Sequence, residues 1–218
     1  MKRRDQIRHK RARQERQQNL TILAILAVAA LAIAGILLWP QIRDAATPPN
    51  PITQPAPVAY KPELVSGKDY GPRDAKVVVR EYGDFQCPYC GRVAASVGPL
   101  IKDEFVSAGA SVRFEFRHFV VADPNPGSGE SRSAAEASEC AADQGKFWPF
   151  HDYVYANQDG ENRGGFRSAR LRQIAEAVGL DLAEFDTCVS SGRNAQRVRD
   201  DEGQARALSL HGTPTIFV

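Results

Sequence analysis

The sequence predicts an α/β domain with a helical insertion, preceded by one transmembrane helix and a proline-rich linker. Three observations carry this prediction. An uncharged apolar run of twenty residues follows a strongly basic head. A β-branched stretch leads directly into the cysteine pair of "GDFQCPYCGR" and then into a helical pattern. A second alternating stretch is followed by a long helical block that ends in another short apolar strand.

The 218-residue chain is 43% hydrophobic and 25% charged, enough apolar material for a globular core and unlike a disordered chain. Its formal net charge of +2 hides an asymmetry, because residues 1–18 hold eight Lys or Arg against Asp5 and Glu15. Basic clusters can mark nucleic-acid binding. This one ends where the apolar run 20–39 begins, so it reads as a cytoplasmic topology signal, with no nucleic-acid partner. As a helix the run spans roughly 30 Å, the thickness of the hydrocarbon core. A cleaved signal peptide has a shorter apolar core, about 7 to 15 residues. The reading is therefore an uncleaved anchor over 19–39, with a cytoplasmic amino terminus and everything after Trp39 outside. Residues 40–66 are proline-rich, which removes backbone donors and disfavours helix. They predict an extended tether to a domain over 67–218.

Within that domain, "KVVVREY" (76–82) is β-branched and bounded by glycine and proline, and predicts a buried strand. From Tyr89 onward Val93, Val97, Leu100, Ile101 and Phe105 recur at helical spacing up to Gly109. "SVRFEFRHFV" (111–120) alternates and predicts a second strand, which makes a parallel, right-handed strand–helix–strand unit. The insert, about 121–210, reads as several helices broken near Gly179 and Gly192. Phe147, Trp148, Phe150 and His151 are expected in its core. "GTPTIFV" begins a last strand.

The dithiol has the most specific local setting. Cys87 stands just before the first helical turn, where backbone N–H groups without helical partners favour thiolate over thiol. Pro88 suits the first helical position, since it needs no donor. Cys90, one turn on, lies on the same side, so the pair can cycle between disulfide and dithiol. Two alternatives stand beside this reading. Inert buried thiols are disfavoured in an oxidising compartment. A zinc site would draw on Cys87, Cys90, Cys140 and Cys188, whose spacing does not form two paired knuckles.

"VVVREYGDFQCPYCGR", "GKFWPFHDYVYANQ" and "HGTPTIFV" together resemble the DsbA-type thiol:disulfide oxidoreductases, specifically their membrane-anchored relatives with a thioredoxin-like fold. The resemblance covers residues 65–218. It implies that Cys87 is the exposed nucleophile and Cys90 the buried resolving thiol. It implies further that Thr213 and Pro214 form a cis-proline turn against the dithiol, and that Glu81 is a buried acid passing a proton to and from Cys90. No cofactor is implied beyond the redox-active disulfide. The implied work is the introduction of disulfides into exported client proteins with free thiols, followed by reoxidation through a membrane quinone-linked thiol oxidase. The dipeptide Pro88-Tyr89 departs from the better-known Pro-His, which leaves open a reductase or isomerase of the same fold. A zinc- or disulfide-stabilised binding module without catalysis is the alternative from another class.

An even cysteine count and an oxidising compartment favour a bridge between Cys140 and Cys188, as do relatives with a second, structural disulfide. It would close a loop of about 48 residues, worth about 4 kcal/mol in the chain-entropy model. Two free core cysteines are the alternative. Relatives also continue past "TIFV" into a partner strand and a final helix, so the sequence reads as a fragment of a longer one.

Overall fold

The computed structural model describes residues 32–35, 51–125 and 127–218. The basic head, most of the predicted anchor and the first part of the linker lie outside the described residues. The four anchor residues that are described, 32–35, are helical. Among the described residues, no helix is long and apolar enough to cross a membrane.

The α/β class is observed over the compact unit Pro51–Val218. Its sheet contains β1 (Val65–Ser66), β2 (Asp69–Tyr70), β3 (Val77–Gly83), β4 (Val112–His118) and β5 (Thr215–Phe217), in the order β1-β2-β4-β3-β5. β3 and β4 are parallel, pairing Glu81 with Phe116 and Gly83 with His118. β5 returns antiparallel to β3, with Tyr82 opposite Thr215. This register sets the 213–214 turn beside the end of β3, where the cysteine loop begins.

β3 feeds α1 (Pro88–Ala95), which is followed by α2 (Val97–Leu100) and a π-helical segment, Ile101–Ser107. The sequence had predicted one regular helix here, with Val97, Leu100 and Phe105 facing the core. All three are exposed, at 44%, 52% and 50%, while Lys102 and Val106 are buried. The cause is local. The Pro99 ring clashes with the carbonyl four residues back and cannot donate to it, so the helix breaks at Ser96 (φ −129°, ψ −71°). The wider π turns then rotate the face that follows.

The insert holds five helices among the described residues: α3 (Glu130–Asp143), α4 (Phe147–Ala156), α5 (Ser168–Val178), α6 (Leu182–Ser191) and α7 (Ala195–Ala207). Gly179 and Gly192 end α5 and α6 in the left-handed conformation, which glycine adopts without a Cβ penalty. Phe147, Trp148 and Phe150 are fully buried and His151 nearly so. They join Phe114, Phe116 and Phe85 in one core. Cys140 of α3 and Cys188 of α6 are disulfide-bonded, with Cα atoms 5.9 Å apart.

Part of the predicted tether belongs to the domain. Ile52, Tyr60, Leu64 and Val65 pack against the core, and the Thr53 N–H donates to Asn157 Oδ1 at 2.9 Å. The domain boundary therefore moves from 67 to 51. Proline content correctly disfavoured helix here, but the interspersed apolar side chains have a core to join.

Candidate active site: the dithiol and the buried acid beneath it

The loop between β3 and α1 is held by its own side chains. Asp84, 2% exposed, accepts from the N–H groups of Gln86 at 2.8 Å, Val121 at 2.7 Å and Ala122 at 2.9 Å, and from Ser131 Oγ. A carboxylate satisfied this fully fixes the turn that delivers Cys87. The Cys87 N–H donates to Asp84 O at 3.0 Å. Cys87 is then the N-cap of α1 (φ −67°, ψ 120°), with Pro88 as the first helical residue.

The two sulfurs are free thiols and are not equivalent. Cys87 Sγ donates to the Thr213 carbonyl at 3.3 Å, and the Thr213–Pro214 peptide is cis. Cys87 retains 7% of its surface and Cys90 none. The nucleophile implied by resemblance is thus less open than expected, because the 213–214 turn covers it, although it remains the more accessible of the pair. Burial pushes the Cys90 thiol well above the usual range, with the Asp84 backbone pulling the other way and the Cys87 charge adding to the rise.

Glu81 lies on β3, 2% exposed, and its charge acts on the Cys90 thiol. Its Oε1 has no hydrogen-bond partner among the described residues. Burial raises its pKa to about 7, against the pull of the Lys102 ammonium. Lys102 is itself fully buried. Its Nζ lies 3.1 Å from Asp152 Oδ1 and 2.5 Å from the Tyr60 hydroxyl, and 5.0 Å from the Trp148 ring centre. Tyr60 donates to Asp152 Oδ2 at 2.6 Å, and His151 Nδ1 lies 2.9 Å from Asp152 Oδ1. A carboxyl that titrates near neutrality beside a thiol that resists ionisation is suited to passing a proton to that thiol.

The residues expected at the site converge: Cys87, Cys90, Thr213, Pro214 and Glu81. Cys140 and Cys188 are bonded to each other, and a disulfide sulfur is not a thiolate ligand, so the four cysteines do not form one metal site. His118, Glu139 and Asp201 have ligand atoms within 4.8 Å of one another, but the Lys68 ammonium already bridges both acids at 2.5 Å. His118 packs on Phe85, Phe116 and Phe147, and His211 is exposed.

The family model described as "Thioredoxin" matches residues 65–218. The chain belongs to that thioredoxin family. The solved structure of reduced DsbA from Mycobacterium tuberculosis is 28% identical, with a TM-score of 0.55, covering 71% of this chain and 79% of that one. Oxidised BdbD from Bacillus subtilis superposes with a TM-score of 0.60 at 24% identity, over 76% of this chain and 86% of that one, and so shares the fold. A curated relative, Na(+)/H(+) antiporter NhaA 3 of Salinispora tropica, is 42% identical over 148 residues, which is 68% of this chain. The chain spans only 21% of that relative's length.

Sequence reasoning missed Lys102, Asp152, Tyr60 and Gln158, the last of which donates from Nε2 to the Cys87 carbonyl at 3.0 Å. Asp152 and Gln158 stand in "GKFWPFHDYVYANQ", where the aromatic pattern drew attention to packing. Lys102 had no local signal, because a lone lysine in a helix ordinarily marks its solvated face.

Proposed function

We propose that this domain is an extracytoplasmic thiol:disulfide oxidoreductase that introduces disulfides into exported proteins. The observation that carries the reading is the inequality of the pair: a helix-capping Cys87 bonded to the cis-proline turn, and a fully buried Cys90 within the electrostatic reach of the buried acid Glu81.

In the oxidised domain, a client thiolate attacks Cys87 Sγ. The Cys87–Cys90 bond breaks, its electron pair goes to Cys90, and a mixed disulfide joins the client to Cys87. The sulfur of Cys90 is poorly stabilised as an anion in its buried position, and Glu81 supplies the proton it needs. A second client thiolate then attacks the client sulfur of the mixed disulfide and displaces Cys87. Two client thiols have lost two electrons and two protons, and the domain has gained them as a dithiol. Reoxidation needs an acceptor for those electrons, which we assign to a membrane quinone-linked thiol oxidase. Attachment through 20–39 would place the dithiol near such a partner. The antiporter name of the curated relatives, in which the matching segment forms 21% to 28% of the chain, favours the same neighbourhood.

Equilibration with glutathione buffers gives the reduction potential of the 87/90 pair. The oxidase reading expects a value well above that of cytosolic thioredoxin, about −270 mV. A value near that figure overturns it in favour of a reductase. Cys87→Ser should abolish oxidation of a reduced, unfolded client.

A further inference from the structure

The end of α4 carries two adjacent amides with separate tasks. Asn157 Nδ2 donates to Thr53 O at 2.8 Å and to Tyr153 O at 2.7 Å, tying down the amino-terminal strap. Gln158 reaches the other way. Its Nε2 donates to Phe85 O at 2.7 Å and to Cys87 O at 3.0 Å.

The second of these bonds falls on the peptide group of the reactive residue. Cys87 O also accepts from the Gly91 N–H at 3.1 Å, so both acceptor positions of this oxygen are used. Pro88 has no N–H, and the peptide plane between residues 87 and 88 is therefore held by hydrogen bonds at its oxygen alone. That plane defines ψ of Cys87, 120°. This torsion fixes how the Cα–Cβ bond is aimed relative to α1, and hence where Sγ meets the Thr213 carbonyl. Space for the Gln158 amide exists because residue 91 is glycine: a Cβ there would stand 2.3 Å from Gln158 Oε1.

We propose that Gln158 is a positioning residue for thiol–disulfide exchange, holding the Cys87 peptide group and thereby setting the balance between disulfide and dithiol and the rate of exchange. The proposal rests on the redox reading of the dithiol. Gln158 also lines a cleft of about 400 Å³ beside Pro88, together with Glu161 and Arg163. A merely client-binding role for Gln158 would appear in KM, whereas a positioning role falls on kcat and on the redox equilibrium.

The test uses the full chain with Gln158→Ala and Gln158→Glu. It measures the equilibrium constant of the 87/90 pair against glutathione, and kcat and KM with a cysteine-containing peptide. Loss of the bond should move the equilibrium constant by up to about fivefold, the size of one net hydrogen bond made in only one of the two redox forms, with kcat reduced and KM little changed. Gln158→Glu should be the worse variant at neutral pH, where a carboxylate accepts but cannot donate. Its ratio to wild type should recover as pH falls toward about 4 and the carboxyl regains a proton to give. Gly91→Ala, which crowds the same amide from the other side, should move both quantities in the same direction and serves if a Gln158 variant does not fold. Variants within about twofold of wild type in equilibrium constant and kcat overturn the proposal, since a bond that sets the balance must be stronger in one redox form than in the other. A wild type that exchanges no thiols overturns the functional reading instead.

Discussion

Replacing Glu81 with Gln removes a titration whose consequences can be worked out from the structure. The folded carboxyl titrates at about 7, against 4.5 for the ordinary group, chiefly because it is buried. Between those two values the native state holds a proton that the unfolded chain has released, so wild-type stability falls as pH rises through this window. The gap is roughly 2.5 units at about 1.4 kcal/mol each, or about 3.5 kcal/mol in full, of which about 3 kcal/mol is reached by pH 7. His151 acts in the opposite sense. Burial lowers its pKa from 6.5 to about 4, so below 6.5 the unfolded chain binds the extra proton and stability rises with pH from about 4 to 6.5. In the wild type the two slopes oppose each other between about 4.5 and 6.5 and largely offset. In Glu81→Gln the histidine slope is no longer opposed by residue 81.

The stability advantage of the variant over its parent should therefore grow from near zero at pH 4 to about 3.5 kcal/mol at pH 8. Subtracting the two curves removes groups that titrate alike in both proteins. Urea unfolding in a Cys87→Ser background is the assay, since it requires no reductant and keeps the 140–188 bridge intact. A difference that stays constant from pH 4 to pH 8 would refute the reasoning, because it would mean that Glu81 titrates alike in the native and unfolded states.

Lys102→Met should cost about 3–5 kcal/mol, because it leaves Asp152 as a buried charge without its cation, and Lys102→Met/Asp152→Asn should recover much of that loss in the same unfolding measurement. Replacing both Cys140 and Cys188 with Ser should cost about 4 kcal/mol through the unfolded chain, measured by thermal or urea unfolding, while the 87/90 redox equilibrium stays at its wild-type value.

What was legible in the sequence is what local chemistry determines. A β-branched run ending at a glycine, a cysteine, and a proline suited to the first helical turn describe β3, the N-cap and α1 without any distant residue. The parallel pairing of β3 with β4 follows from strand, helix and strand in order. β1 and β2 were not legible, because two residues each give no period to read. Residues 51–66 were misread for a related reason. Composition reports that proline opposes helix there, but not that Ile52 and Tyr60 find partners in a core to which residues as distant as Trp148 contribute.

The same distinction divides the site itself. The residues proposed to carry the chemistry, Cys87, Cys90 and Glu81, are neighbours in sequence, and their roles are implied by a resemblance that one short stretch largely carries. Their tuning does not. Lys102 acts on Glu81 from a helix whose register is rotated by π turns. It is held there by Asp152 in the insert and by Tyr60 in the strap, 50 and 42 residues distant. The strap thus contributes to the electrostatics beneath the dithiol as well as to the domain boundary. Weakening it at Tyr60 would loosen the Lys102 ammonium from one of its two oxygen partners, and so alter the proton affinity of an acid that Tyr60 itself does not hydrogen-bond.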